Sequence, residues 1–109
     1  MKSVIRPLAR QDILRQYRYL LIEEDVPEVA ARFLLAVENS IEQVSKRAGI
    51  GVPVDLENPK LAGLRSWRVN GFPAIRIYYL VSEKTLRVIR VLHGKRDIHP
   101  LLEMPDEPH

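Results

Sequence analysis

The sequence contains no cysteine, only 6% aromatic residues and five glycines in 109 positions. Without cysteine there is neither a disulfide framework nor thiolate chemistry. No apolar run approaches the roughly 20 residues that span a bilayer. The opening, MKSVIRPLARQD, lacks the apolar core of a signal peptide, so a cytoplasmic protein is expected. The histidines, at 93, 99 and 109, show no metal-ligand spacing, and no metal site is expected. No glycine-rich phosphate loop and no nucleophile–base motif occurs, and no cofactor is implied. With so few rings, nucleic-acid recognition by base stacking is not indicated.

What is present is an ordinary globular balance, 46% hydrophobic and 28% charged residues. The length fits one compact domain, read as residues 1–103, with an acidic tail over 104–109. Formal net charge is +3 and the isoelectric point about 9.4. That is too mild by itself to assign nucleic-acid binding. Distribution carries more information. Between Lys60 and Arg96 there are nine lysines and arginines and one acid, Glu83. This half reads either as a basic surface for an acidic partner or as a solvated face.

Ser3–Leu8 reads as a short edge strand ended by Pro7. From Ala9 to Glu24, Ile13, Leu14, Tyr17, Leu20 and Leu21 recur at helical steps. Asp25 and Pro27 break that helix and start a second, which runs to Ala48. Its stripe is Ala30, Phe33, Leu34, Val37, Ile41, Val44 and Ala48, with Gly49 in the closing position. The short link predicts an antiparallel helix hairpin. Gly51–Gly63 is irregular. Leu64–Val69, Ala74–Val81 and Leu86–Leu92 then read as strands joined at Asn70-Gly71 and Ser82–Thr85. Asp97 is placed to cap a final turn through Leu102. The predicted class is α+β, in the order β-α-α-β-β-β(-α), with the hairpin packed on a small antiparallel sheet. The expected core is Ile13, Tyr17, Leu20, Phe33, Leu34, Val37, Ile41, Ile77, Tyr79, Val88 and Val91.

Three stretches carry a family resemblance. They are Arg6-Pro7-Leu8-Ala9 with Asp12-Ile13, then Leu64–Val69 leading through Gly71 and Phe72 to Ile77-Tyr78-Tyr79, and lastly Ile89–Asp97, IRVLHGKRD. Together they resemble the ParE branch of the RelE/ParE toxin superfamily over Arg6–Leu102. The resemblance implies the toxin of a type II toxin–antitoxin system, neutralised by an antitoxin protein and directed at DNA gyrase. The alternative within the superfamily is a RelE-type, ribosome-dependent mRNA endonuclease.

RNA cleavage by a 2′-hydroxyl needs a base, an acid and cations for the phosphate. The residues available for it are Arg65, Arg76, Tyr78, Arg90 and His93. The RelE-type nucleases that the chain resembles carry extra basic residues in mid-chain and a catalytic tyrosine or histidine pair near the C-terminus. Here residues 51–63 offer only Lys60, no tyrosine follows Tyr79, and Gly94 rather than an aromatic follows His93, so the resemblance implies inhibition by binding. Its target-facing candidates are Arg65, Arg76, Arg90, Lys95 and Arg96. Trp67, Arg68 and Tyr78 are the antitoxin-facing candidates. Each has a structural alternative. Arg90 can pair with a carboxylate such as Asp97, and His93 can be a strand-end hydrogen-bonding group. Gly94 can serve a positive φ or a tight exit. Trp67 is core or anchor. Tyr78 and Tyr79 are expected on opposite faces, one in the core and one on the surface.

Overall fold

The computed structural model describes residues 1–94 and 96–105. Lys95 and the tail residues 106–109 lie outside them.

Strand β1 (Lys2–Ile5) leads directly into α1 (Pro7–Arg18), with Pro7 in the first turn, where its missing N–H is no loss. The helix then widens into a π-turn, Tyr19–Glu23, rather than continuing regularly to Glu24. Asp25, at φ 52°, reverses the chain. Helix α2 (Pro27–Lys46) again begins on proline. Its C-cap is Arg47, and Gly49 falls in the following 3-10 turn, Ala48–Ile50, so glycine does not close this helix.

The stretch expected to be irregular contains a two-residue strand, β2 (Val52–Pro53), and a 3-10 turn at Pro59–Leu61. Strands β3 (Arg65–Val69), β4 (Phe72–Ser82) and β5 (Thr85–His93) form the meander. Helix α3 (Ile98–Leu102) follows; Asp97 is its N-cap by position, but its side chain makes no capping bond.

The five strands lie in the order β1-β5-β4-β3-β2. The sheet is mixed, not antiparallel throughout, because β1 pairs parallel with β5. That follows from connectivity. The hairpin carries the chain across one face, and β1 then borders the last strand rather than its sequence neighbour.

Register shifts within the β4–β5 pair. Tyr78 faces Arg90 and Tyr79 faces Val88, so Ile89 is the extra residue of a β-bulge. Val88 through Leu92 are consequently all buried.

Two apolar clusters result. The main one joins α1 and α2 to the sheet through Ala9, Ile13, Phe33, Val37, Ile41, Val44, Ile77, Tyr79, Val88 and Val91. The second lies on the opposite face. It gathers Leu61, Leu64, Tyr78, Ile89, Leu92 and Leu102 under the β2–β3 connection and α3. Tyr78 and Tyr79 are therefore both buried, at 2% and 1% exposure, because each face of the sheet is covered there. Of the expected core, Tyr17 and Leu20 are partly buried against the main cluster, and Leu34 is exposed.

Candidate functional site

The conspicuous arginine of the C-terminal motif is internal. Arg90 is 4% exposed and Asp12, on α1, is 5% exposed. Arg90 Nε and Nη2 donate to the two Asp12 carboxylate oxygens at 2.7 and 2.8 Å. The Val91 N–H donates to the same carboxylate at 3.0 Å. Arg90 Nη1 also donates to the Leu101 carbonyl at 2.6 Å, tying α3 to the sheet. The local reason is an edge. Strand β1 pairs with β5 only as far as Val88, and the Arg6 N–H donates to the Val88 carbonyl. Beyond that point the outer edge of β5 needs another partner, and Asp12 supplies it. Arg90 therefore pairs with Asp12 rather than Asp97, and it is not presented as a surface cation.

Arg65 has a similar structural task. Its Nη1 donates to the carbonyls of Gly49 and Gly51 at 3.3 and 2.7 Å. The Tyr79 hydroxyl donates to the Ala48 carbonyl at 2.6 Å and accepts from the Gly51 N–H at 3.0 Å. Any Cβ at Gly51 would run into the Tyr79 phenol, so glycine is required there. Together these bonds pin the exit from α2 onto the sheet. Burial pushes the Tyr79 phenol above its usual pKa, partly offset by the Gly51 N–H and the Arg65 charge. Burial likewise raises Tyr78, against the opposing charge of Arg76.

Arg76 is half-buried and donates to the Ser66 hydroxyl from Nε and Nη2 at 3.1 and 3.0 Å. A Cβ on Gly94 would come within 3.3 Å of the Arg76 Cδ, a tight contact. Gly94 is thus a tight exit, not a positive-φ position. Its N–H donates to the Ala74 carbonyl at 2.7 Å. Trp67 is half-buried, with the Arg68 guanidinium 4.9 Å over its ring. Its indole N–H makes a long bond, 3.4 Å, to Gln43 on α2. Arg96 is exposed. Lys95 lies outside the described residues.

Of the five residues considered for RNA cleavage, Tyr78 and Arg90 are partners across β4 and β5, with Arg76 two positions along, but Tyr78 and Arg90 are closed to solvent. Arg65 is committed to the α2 exit. Arg76 lies on Ser66, and half-buried His93 opens toward α1, lining a cleft with Gln16 and Tyr19.

Two surface features are not marked by any single motif. One is a groove of about 530 Å³ between β1, α1 and α2. Its apolar floor includes Ile5, Ile13, Leu14, Leu34, Val37 and Ile41, with Arg10 and Glu38 among its polar linings. Leu14 and Leu34 are 42% and 37% exposed there. The signal lay in the helical stripes, which carry more apolar positions than one interface can bury. The other feature is the run Arg10, Arg15 and Arg18 on the exposed side of α1, which makes the first helix basic as well. Among the described residues no metal-binding group of histidine and acid side chains occurs. Nor is any of their helices long and apolar enough to cross a membrane.

A helix hairpin on one face of a mixed sheet, closed by a short C-terminal helix, defines a small α+β protein. A family model described as the ParE toxin of a type II toxin–antitoxin system, parDE, matches residues 4–98. The chain belongs to the ParE toxin family. A solved structure of the chromosomal ParDE TA system from P. aeruginosa is similar in fold. Its TM-score is 0.67 at 18% identity, over 87% of this chain and 97% of that chain. No curated protein matches this chain in sequence.

Proposed function

We propose that this toxin acts in the cytoplasm by binding a type II topoisomerase, DNA gyrase, and not by cleaving RNA. The observation that carries the reading is the fate of the would-be catalytic groups. Tyr78 is enclosed by the second apolar cluster and Arg90 is locked to Asp12. A general acid or base must reach the proton it moves, and a phosphate-stabilising cation must reach the phosphate. Neither side chain does. Arg96, exposed beyond the β5 exit, remains for contact with the target, whereas Arg76 is half-buried and bonded to Ser66.

A cognate antitoxin is the second partner in this reading. The groove beside β1 fits an apolar segment of it, such as one face of an amphipathic helix. Trp67 and Arg68 offer an aromatic and cationic anchor at a separate place. Tyr78 is enclosed and does not serve.

One experiment separates the superfamily activities. Purified toxin is added to gyrase supercoiling reactions and, in parallel, to translating ribosomes with a defined mRNA. Accumulation of cleaved gyrase–DNA complexes is expected, with the mRNA left intact. Codon-linked mRNA cuts in the absence of any effect on gyrase would overturn the proposal.

A further inference from the structure

Two adjoining clefts lie where the α1 C-terminus and the π-turn approach the start of β4 and the end of β5. They share Gln16, Ile75 and His93. One, of about 320 Å³, is lined by Arg15, His93 and Arg96 over Val91 and Leu92. The other, of about 480 Å³, is walled by Tyr19, Phe72 and Pro73. Two arginines and a histidine thus stand beside a cleft with flat, apolar sides. Such ligand sites typically measure about 300–1,000 Å³.

We propose that this double cleft binds a nucleotide unit, its phosphate on the Arg15–His93–Arg96 side and its base on the Tyr19–Phe72–Pro73 side. This goes beyond gyrase inhibition, since it assigns the toxin a nucleic-acid-type ligand of its own. The charges support the polarity. Asp12 also lines the first cleft, but both of its oxygens are held by Arg90 and one also by the Val91 N–H. Arg15 stands 3.9 Å from Asp12 with its side chain 66% exposed, leaving it able to turn to a ligand. The excess is therefore positive, as a phosphate requires. In the second cleft the Tyr19 hydroxyl donates to Glu24 at 2.5 Å. That bond orients the ring, and with the Glu24 charge it raises the phenol pKa, so the ring stays neutral. Low aromatic content argues against a long stacking platform, but a single base needs only one or two faces.

The test uses the whole chain and fluorescence anisotropy with fluorescein-labelled oligo-dT of about twelve nucleotides. Wild type is expected to bind, more weakly as salt rises. Arg15→Ala with Arg96→Ala should weaken binding about tenfold and flatten the salt dependence. Arg47→Ala with Arg87→Ala removes the same charge elsewhere and should change affinity by less than about twofold. Tyr19→Ser should weaken binding while leaving the salt slope unchanged. Competition by free dTMP or ATP would place the ligand as a mononucleotide; resistance to it, as a strand. Both results support the cleft. Absence of binding by wild type, or equal loss in the two double variants, overturns it. Gyrase assays on the same preparations keep the two ideas apart. Poisoning without oligonucleotide binding sinks this inference alone, and binding without poisoning sinks the topoisomerase reading alone.

Discussion

Asp12 lies on the same side of α1 as Ala9 and Ile13, in the stripe the helix buries. Arg90 sits in a strand whose neighbours are all buried. Each alone breaks the hydrophobic pattern, and each is tolerated because the other completes it. Among the described residues no buried side-chain nitrogen or oxygen lacks a hydrogen-bond partner. Removing one member leaves a charge in the interior, which typically costs about 3–5 kcal/mol. Arg90→Ala is therefore expected to lose most of its stability in urea denaturation, along with the tether on α3. The pair Asp12→Leu with Arg90→Met should recover a large part of that loss. If Arg90→Ala unfolds at the wild-type urea concentration, the ion pair is not the keystone described here. The partner was legible in principle, since a carboxylate in a buried stripe demands a buried cation. Proximity in sequence pointed instead to Asp97, because strand–helix contacts 78 residues apart leave no local trace.

Among the elements, the β4–β5 hairpin shows what periodicity cannot express. Strict alternation predicts one tyrosine inside and one outside. The bulge at Ile89 shifts the register, and a second cluster covers the far face, so both are enclosed. The hairpin's turn has a different peculiarity. Glu83 and Lys84 take φ of 50° and 66°, a left-handed pair suited to a two-residue turn. Side chains in that region cost roughly 1–2 kcal/mol per residue relative to right-handed backbone. Replacing Glu83-Lys84 with Asn-Gly is expected to stabilise the protein by about 1 kcal/mol, a rise of roughly 4–8 °C in Tm. A calorimetric scan reads this directly, and an unchanged or lower Tm would mean the strain is relieved in some other way. The expected elements are all present and of the expected type. The differences are at their ends, in the short strand β2 within the stretch read as irregular, and in the parallel pairing of β1 with β5, all of which depend on contacts outside the segment.

The whole molecule has a sheet covered on both faces but unevenly. The hairpin covers one side fully, and a loop and one short helix cover the other. Along β1, the hairpin leaves Leu14 and Leu34 uncovered beside an edge strand. An exposed apolar groove of this kind promotes association until a partner fills it. The free toxin is expected to aggregate, and Leu14→Ser with Leu34→Ser to remain monomeric in size-exclusion chromatography. The same double variant should bind the cognate antitoxin at least about tenfold more weakly by calorimetry, given the apolar area removed. Unaltered antitoxin affinity would place the antitoxin elsewhere on the surface. Charge follows the same logic. The basic residues of the C-terminal half do not form one patch, because Arg65, Arg76 and Arg90 are drawn into structural bonds. The arginines of α1 contribute to the surface instead.

Class, order of elements, most of the main core and the family resemblance are readable along the chain. Those properties rest on local periodicity, turn chemistry and motifs that stay intact within short windows. Tertiary structure alone decided which polar residues were free to act. Absence of cysteine and scarcity of rings excluded whole chemistries, but an arginine's role depends on what lies within about 3 Å of its guanidinium. For Arg90 that was a carboxylate from the first helix; for Arg65, two carbonyls beyond the second. For Arg96, which is exposed, it was an open cleft formed where distant segments meet. Such proximity is set by packing across the sheet, and no spacing along the chain encodes it.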